Sequence, residues 1–306
     1  MELPFRLMGV VNVTPDSFSD GGLFFEARAA VAHGLELATA GADILDVGGE
    51  STRPGAAPVS EAEELRRVLP AVEGLVAALR GGPPGSSFTG PQVSIDTSKA
   101  SVARAALSAG ASLVNDVSAF RTDPEMVGVV VESGVECCLM HMRGDPRTMQ
   151  REPHYADVVD EVKAFLSERL AFAVGAGVAE ERVLLDPGIG FGKTLAHNLE
   201  LLRRLDELVA LGRPLLVGTS RKSFLGRILA DADADAGAAR PVGAPDPVAV
   251  PEPVAAEQRL PGTLATCVLA YERGARVFRV HDVAPARAAL ATAAATLGAQ
   301  WTTTTS

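Results

Sequence analysis

The chain contains eight short apolar runs rich in β-branched residues, and longer stretches with helical spacing lie between them. The runs are FRLMGVVNV (5–13), DILDVGGE (43–50), QVSIDTS (92–98), LVNDVSA (113–119), ECCLMHM (136–142), RVLLDPG (182–188), PLLVGTS (214–220) and RVFRVHD (276–282). Between them, stretches such as EARAAVAHGLELATAGA and EAEELRRVLPAVEGLVAALR carry apolar residues at helical intervals. Several of these stretches close on a glycine (Gly41, Gly110, Gly134, Gly177) just before the next run, the position of a left-handed C-cap. Eight strand–helix units in series predict an α/β fold of the (β/α)8 TIM-barrel type, one domain over residues 1–306. An open doubly wound sheet would usually have fewer strands, divided into two halves.

One segment departs from the repeat. Residues 231–256, DADADAGAARPVGAPDPVAVPEPVAA, show no sustained periodicity, and five prolines between 241 and 253 preclude a regular helix there. They read as a flexible Ala/Pro/Asp insertion in a surface loop before the main part of the seventh helix.

Composition narrows the function classes. With 47% hydrophobic residues the chain can bury a large core, and a net charge of −10 argues against a general binder of nucleic acid or anionic membranes. A small anionic ligand remains possible, because it answers to a local patch. The start, MELPFRLMGV, lacks the basic-then-apolar layout of a signal peptide, and no apolar run is long enough to span a bilayer. Cys137, Cys138 and Cys267 have no metal-ligand spacing. The adjacent pair should alternate faces of a strand as small core residues of a reduced, cytoplasmic protein.

The ends of the strands carry the chemistry. VSIDTSK places Asp96 at a strand tip, where burying a charge is costly; taken alone, the segment could be a helix N-cap. The other tips are also polar. They supply Asn12, Asp46 with Glu50, Asn115, His141, Asp186, the Ser220–Ser223 turn, and Arg279 with His281. In a barrel these tips share one mouth, which makes them a binding site. Asp96, Asn115 and Asp186 suit a flat heterocycle with amino and ring N–H groups. Arg53, Arg221, Lys222, Arg279 and His281, with hydroxyls at Ser51, Thr52, Ser220 and Ser223, suit a phosphate or pyrophosphate. Individual members have plainer readings: Arg221 as a solvated helix residue, Asp46 as a turn-ordering acid, His141 as a satisfied core histidine. DPGIGFGKT ends like a P-loop, but position 187 is proline where that motif needs glycine, and the dinucleotide pattern fails at Lys193.

Eight motifs in order, MGVVNVTPDSFSDGG, ILDVGGESTRPGA, SIDTSK, VNDVS, LMHMRGDPRTMQ, LLDPGIGFGKT, GTSRKSFLG and RVHDV, run from residue 8 to 283. Through them the chain resembles the dihydropteroate synthases, transferases that join a pterin pyrophosphate to p-aminobenzoate. The resemblance implies a pterin site at Asp96, Asn115, Asp186 and Lys222. It implies a pyrophosphate site at Asn12, Arg53, Arg279 and His281, with Asn12 near Mg2+ as cofactor and metal. The p-aminobenzoate pocket would be formed by Phe18, Thr52, Pro54 and Ser223. Asp96, Lys222 and Arg279 are the expected catalytic residues, and a homodimer is the expected assembly. A related barrel that moves a methyl group to a corrinoid protein would not need the TPDSFSDGG loop or a pyrophosphate pocket.

Overall fold

A computed structural model of the chain describes residues 3–13, 23–51, 56–80, 90–144, 148–237 and 252–298. All eight predicted strands are present: β1 (Arg6–Asn12), β2 (Ile44–Gly48), β3 (Gln92–Asp96), β4 (Leu113–Asp116), β5 (Glu136–Met140), β6 (Val183–Asp186), β7 (Leu216–Val217) and β8 (Val277–Val280). They form one parallel sheet in the order β6-β5-β4-β3-β2-β1-β8-β7, and a parallel bridge between Leu185 and Leu215 joins its two ends. The sheet thus closes into a (β/α)8 barrel.

The period of two along each strand divides the core. Met8, Ile44, Leu113, Cys138, Leu184, Leu216 and Val277 face inward and form their own buried cluster, a plug across the barrel. Their neighbours Leu7, Leu45, Cys137, Leu185 and Phe278 face outward into the larger cluster beneath the helices. Cys137 and Cys138 therefore occupy opposite faces, as their adjacency predicts. At the strand starts, Arg6 donates two hydrogen bonds to Glu136, at 3.0 and 3.1 Å, and Gln92 adds a third at 2.9 Å. These three residues close the polar end of the barrel interior opposite the mouth.

The helices are α1 (Leu23–Thr39), α2 (Glu61–Arg80), α3 (Ala100–Ser108), α4 (Met126–Ser133), α5 (Val158–Gly175), α6 (Leu195–Arg203), α7 (Leu205–Val209), α8 (Ser223–Gly237), α9 (Leu260–Glu272) and α10 (Val283–Thr296). In α2 the buried positions Glu64, Val68, Ala71, Val72, Leu75 and Val76 trace one helical face. Pro70, inside the same helix, lies on its exposed side. Gly134 caps α4 in the left-handed conformation with φ 62°, and its N–H donates to the Val130 carbonyl.

Two local readings change. Helix α8 runs seven residues into the segment read as a loop from 231, ending at Gly237. Alanine has the highest helix propensity, and extending an existing helix avoids the cost of nucleation, so the helix persists toward the first proline. The rest of the insertion up to residue 251 lies outside the described residues. Asp96 is not a helix cap either: the first N–H of α3, on Ala100, donates to Asp123 Oδ2 at 2.8 Å. That leaves the Asp96 carboxylate turned to other partners.

Candidate active site

At the C-terminal ends of the strands the barrel opens into a cavity of about 640 Å³. Asn12, Asp96, Asn115, Asp186, Lys222, Ser223, Arg279 and His281 all line it. Glu50, Ser51, Ser220 and Arg221 line it too, whereas Asp46 and His141, also at strand tips, do not. Phe18, Thr52, Arg53 and Pro54 lie outside the described residues.

The centre of the site is a chain of charges between β2, β3, β4 and β8. Asp46 is fully buried, and its Oδ2 accepts from Arg279 Nε at 2.7 Å and from Asn115 Nδ2 at 3.0 Å. Arg279 Nη2 reaches on to Asp96 Oδ2 at 2.8 Å. Asp46 thus does more than order its turn: it fixes the orientation of an arginine and an amide that both face the cavity. Its other oxygen, Oδ1, is buried with no hydrogen-bond partner among the described residues. Burial pushes the Asp96 carboxyl up to about 7; the Arg279 guanidinium opposes the rise and the Asp46 charge adds to it.

A second opposed pair faces it. Burial lowers the Lys222 ammonium to about 8, with Asp186 opposing, while burial raises the Asp186 carboxyl against the pull of Lys222. Lys222 Nζ donates to the Ile189 carbonyl and stands 4.5 Å from the centre of the Phe191 ring. Asp186 Oδ1 accepts from Gly188 N at 2.7 Å, which holds the strand end against the DPGIG turn.

That turn holds two left-handed glycines, Gly188 and Gly190, and Gly188 is the more tightly packed. Gly188 has φ 64°, and a Cβ there would lie 1.8 Å from the His141 carbonyl oxygen. Gly188→Ala is therefore expected to cost about 2–4 kcal/mol of stability, measured by urea unfolding; an unchanged midpoint would contradict this close packing.

His141 lies behind the wall of the cavity as a core histidine. It is buried, its Nδ1 is 2.8 Å from Lys193 Nζ, and burial lowers its pKa to about 2. Lys193, the lysine of the P-loop-like GKT, also points inward, donating to the Phe191 carbonyl at 3.0 Å. Arg221 is no solvated helix residue: its guanidinium pairs with Asp282 at 3.0 and 2.6 Å. His281 meets Ser220 Oγ through both its backbone N–H, at 3.2 Å, and its Nδ1, at 3.0 Å.

An apolar wall that the polar strand tips do not mark completes the site. Val117, Met140, Met149 and Phe191 line the cavity and pack together, giving a flat ring something to lie against. The methionines of LMHM and TMQ were the only sequence signal for it. Lys99 braces the site from behind β3. Its ammonium bonds both Glu50, at the edge of the cavity, and the buried Glu64 of α2.

An opposed pair of acid–base clusters over an apolar slab, at the mouth of a barrel, narrows the ligand without naming a family. Residues 8–281 match the family model of the pterin binding enzymes. The dihydropteroate synthase of Escherichia coli (strain K12) is 43% identical over 295 residues, covering 96% of this chain and 93% of the relative. The chain belongs to the dihydropteroate synthase family. Among solved structures, the Xanthomonas albilineans dihydropteroate synthase with 4-aminobenzoic acid superposes with a TM-score of 0.80 at 46% identity, covering 96% of this chain and 93% of that one. The same synthase in complex with 7,8-dihydropteroate gives 0.77 at 43% identity, over 96% and 94%. Within the dihydropteroate synthase family, the strand-end residues described above are thus set in a closely similar barrel.

Proposed function

We propose that this cavity condenses 6-hydroxymethyl-7,8-dihydropterin pyrophosphate with p-aminobenzoate, giving 7,8-dihydropteroate and pyrophosphate. The observation that carries the reading is the convergence of Asp96, Asn115, Asp186 and Lys222 around an apolar wall, with Arg279 bridging Asp46 and Asp96 beside them. The pterin ring lies against Val117, Met140 and Phe191. Asp186 takes its amidine-like edge through paired hydrogen bonds, and Lys222 donates on the carbonyl side. Asn12, Arg279 and His281 receive the pyrophosphate, joined by Arg53. Ser223 contributes to the p-aminobenzoate pocket with Phe18, Thr52 and Pro54.

The reaction is a dissociative substitution. The bond between the pterin CH2 and the pyrophosphate oxygen breaks, and the electron pair leaves with pyrophosphate. Arg279 and His281 stabilise that growing negative charge, and the Asp96 carboxylate stabilises the cation left on the ring. The neutral aromatic amine then attacks the CH2, forming the N–C bond, and loses its proton to water. No side-chain nucleophile is needed.

Among the described residues no group of three acidic, histidine or cysteine side chains could hold a metal. The cavity does offer Asn12, whose amide oxygen is a hard donor, and Mg2+ is commonly held by one or two protein oxygens plus substrate phosphates. Asn12 would hold Mg2+ in this way, and the bound ion would neutralise charge on the leaving pyrophosphate. We infer a homodimer from the resemblance. We infer a cytoplasmic setting, which three buried free cysteines support.

The dissociative step is tested by mixing excess protein with the pterin pyrophosphate and Mg2+ in the absence of p-aminobenzoate. Release of pyrophosphate is expected. Release that depends strictly on p-aminobenzoate would point to concerted displacement instead.

A further inference from the structure

The turn Ser220–Ser223 carries Lys222 and Ser223 into the cavity, and its backbone is strained. Arg221 has φ 58°, in the left-handed region that a long side chain seldom adopts. Three contacts hold it there. Its guanidinium pairs with Asp282. Its N–H donates to Thr263 Oγ1 at 3.1 Å, and its carbonyl accepts from Arg259 Nη1 at 2.9 Å. Arg259 also donates through Nε to the Val254 carbonyl at 2.8 Å, and Val254 N donates to the Gly226 carbonyl of α8 at 3.1 Å. One guanidinium therefore joins the returning end of the 231–256 insertion to the turn that carries the site. Ala256, Glu257 and Arg259 line the same cavity. The joint is closely fitted: a Cβ on Gly226 would come within 2.6 Å of Arg259 Nε and 2.9 Å of the Val254 carbonyl oxygen.

We propose that Arg259 is a positioning residue for p-aminobenzoate: by holding the Arg221 and Val254 carbonyls together it fixes the Ser220–Ser223 turn and makes the end of the insertion part of the site. The inference rests on the functional reading above for Ser223. Lys222 has its own anchor at the Ile189 carbonyl, so the pterin side of the site is less dependent on the latch.

The test uses the full-length protein with Arg259→Met, Arg259→Lys and Gly226→Ala, all under saturating pterin pyrophosphate. Arg259→Met should raise KM for p-aminobenzoate about tenfold, with pterin affinity within about twofold of wild type. Arg259→Lys should fall between the two, because a single ammonium cannot reproduce the planar fork. Gly226→Ala is the sharper variant. Alanine favours a helix over glycine, so helix propensity alone would make the change neutral or stabilising, whereas a Cβ that displaces Arg259 and the Val254 carbonyl should loosen the latch and raise KM. Independently of turnover, amide exchange over residues 219–226 in the ligand-free protein should quicken about tenfold in Arg259→Met and in Gly226→Ala. A wild-type chain that makes no dihydropteroate would remove the functional reading, and the exchange measurement would still decide the latch. Wild-type exchange in both variants, or an unchanged KM for p-aminobenzoate in an active enzyme, overturns the proposal.

Discussion

Replacing Asp96 by Asn is expected to lower kcat by about 10²–10³-fold while the barrel stays folded, the scale of losing one preorganised electrostatic contact to a developing charge. The asparagine keeps the shape of the side chain and removes the charge that favours a cationic pterin. The effect should fall on kcat and kcat/KM together, because the interaction grows as the C–O bond breaks. The pH dependence follows from the raised carboxyl. With Asp96 titrating near 7 in the ligand-free site, the reactive carboxylate is present above that pH and lost below it. The wild-type kcat/KM should therefore fall on the acid side with a midpoint near pH 7, and that limb should be absent in Asp96→Asn. Near-wild-type turnover in a folded variant would remove Asp96 from the chemistry.

The second large effect is expected at Arg279, and it separates scaffold from catalysis. Arg279→Met removes the donor to Asp46 and the donor to Asp96 in one step. Asp46 is fully buried and its other oxygen already lacks a partner among the described residues, so a charge stripped of its cation there should cost about 3–5 kcal/mol of stability. Turnover should fall about 10²-fold or more, because the leaving pyrophosphate loses its guanidinium. The double variant Asp46→Asn/Arg279→Met should recover most of the stability and none of the activity. Urea unfolding and steady-state assays on the single and double variants form the cycle. Recovery of activity with stability would mean that Arg279 serves the fold alone.

The sequence made the barrel legible because its signals are local. An alternation of apolar runs with helical stretches identifies eight strands, and the period of two within ECCLM assigns Cys137 and Cys138 to opposite faces. The polar strand tips were equally legible, since a barrel gathers them whatever their spacing. What escaped the reading was set by long-range contacts. Asp46 and Arg279 are 233 positions apart, and nothing around either one marks the other as its partner. The apolar wall comes from Met140, Met149 and Phe191 on separate segments. Arg221 reads as an ordinary basic residue until Thr263, Arg259 and Asp282 are seen to hold it left-handed. The extent of α8 depended on how far a nucleated helix propagates through Ala and Asp, a balance too fine for periodicity to settle.

The most direct test of the account is condensation by the purified chain. It should be incubated with 6-hydroxymethyl-7,8-dihydropterin pyrophosphate and p-aminobenzoate, with and without Mg2+, while 7,8-dihydropteroate is followed directly. The account predicts Mg2+-dependent formation of dihydropteroate with one pyrophosphate released per product. Tight binding of the pterin pyrophosphate without product under both conditions would contradict it.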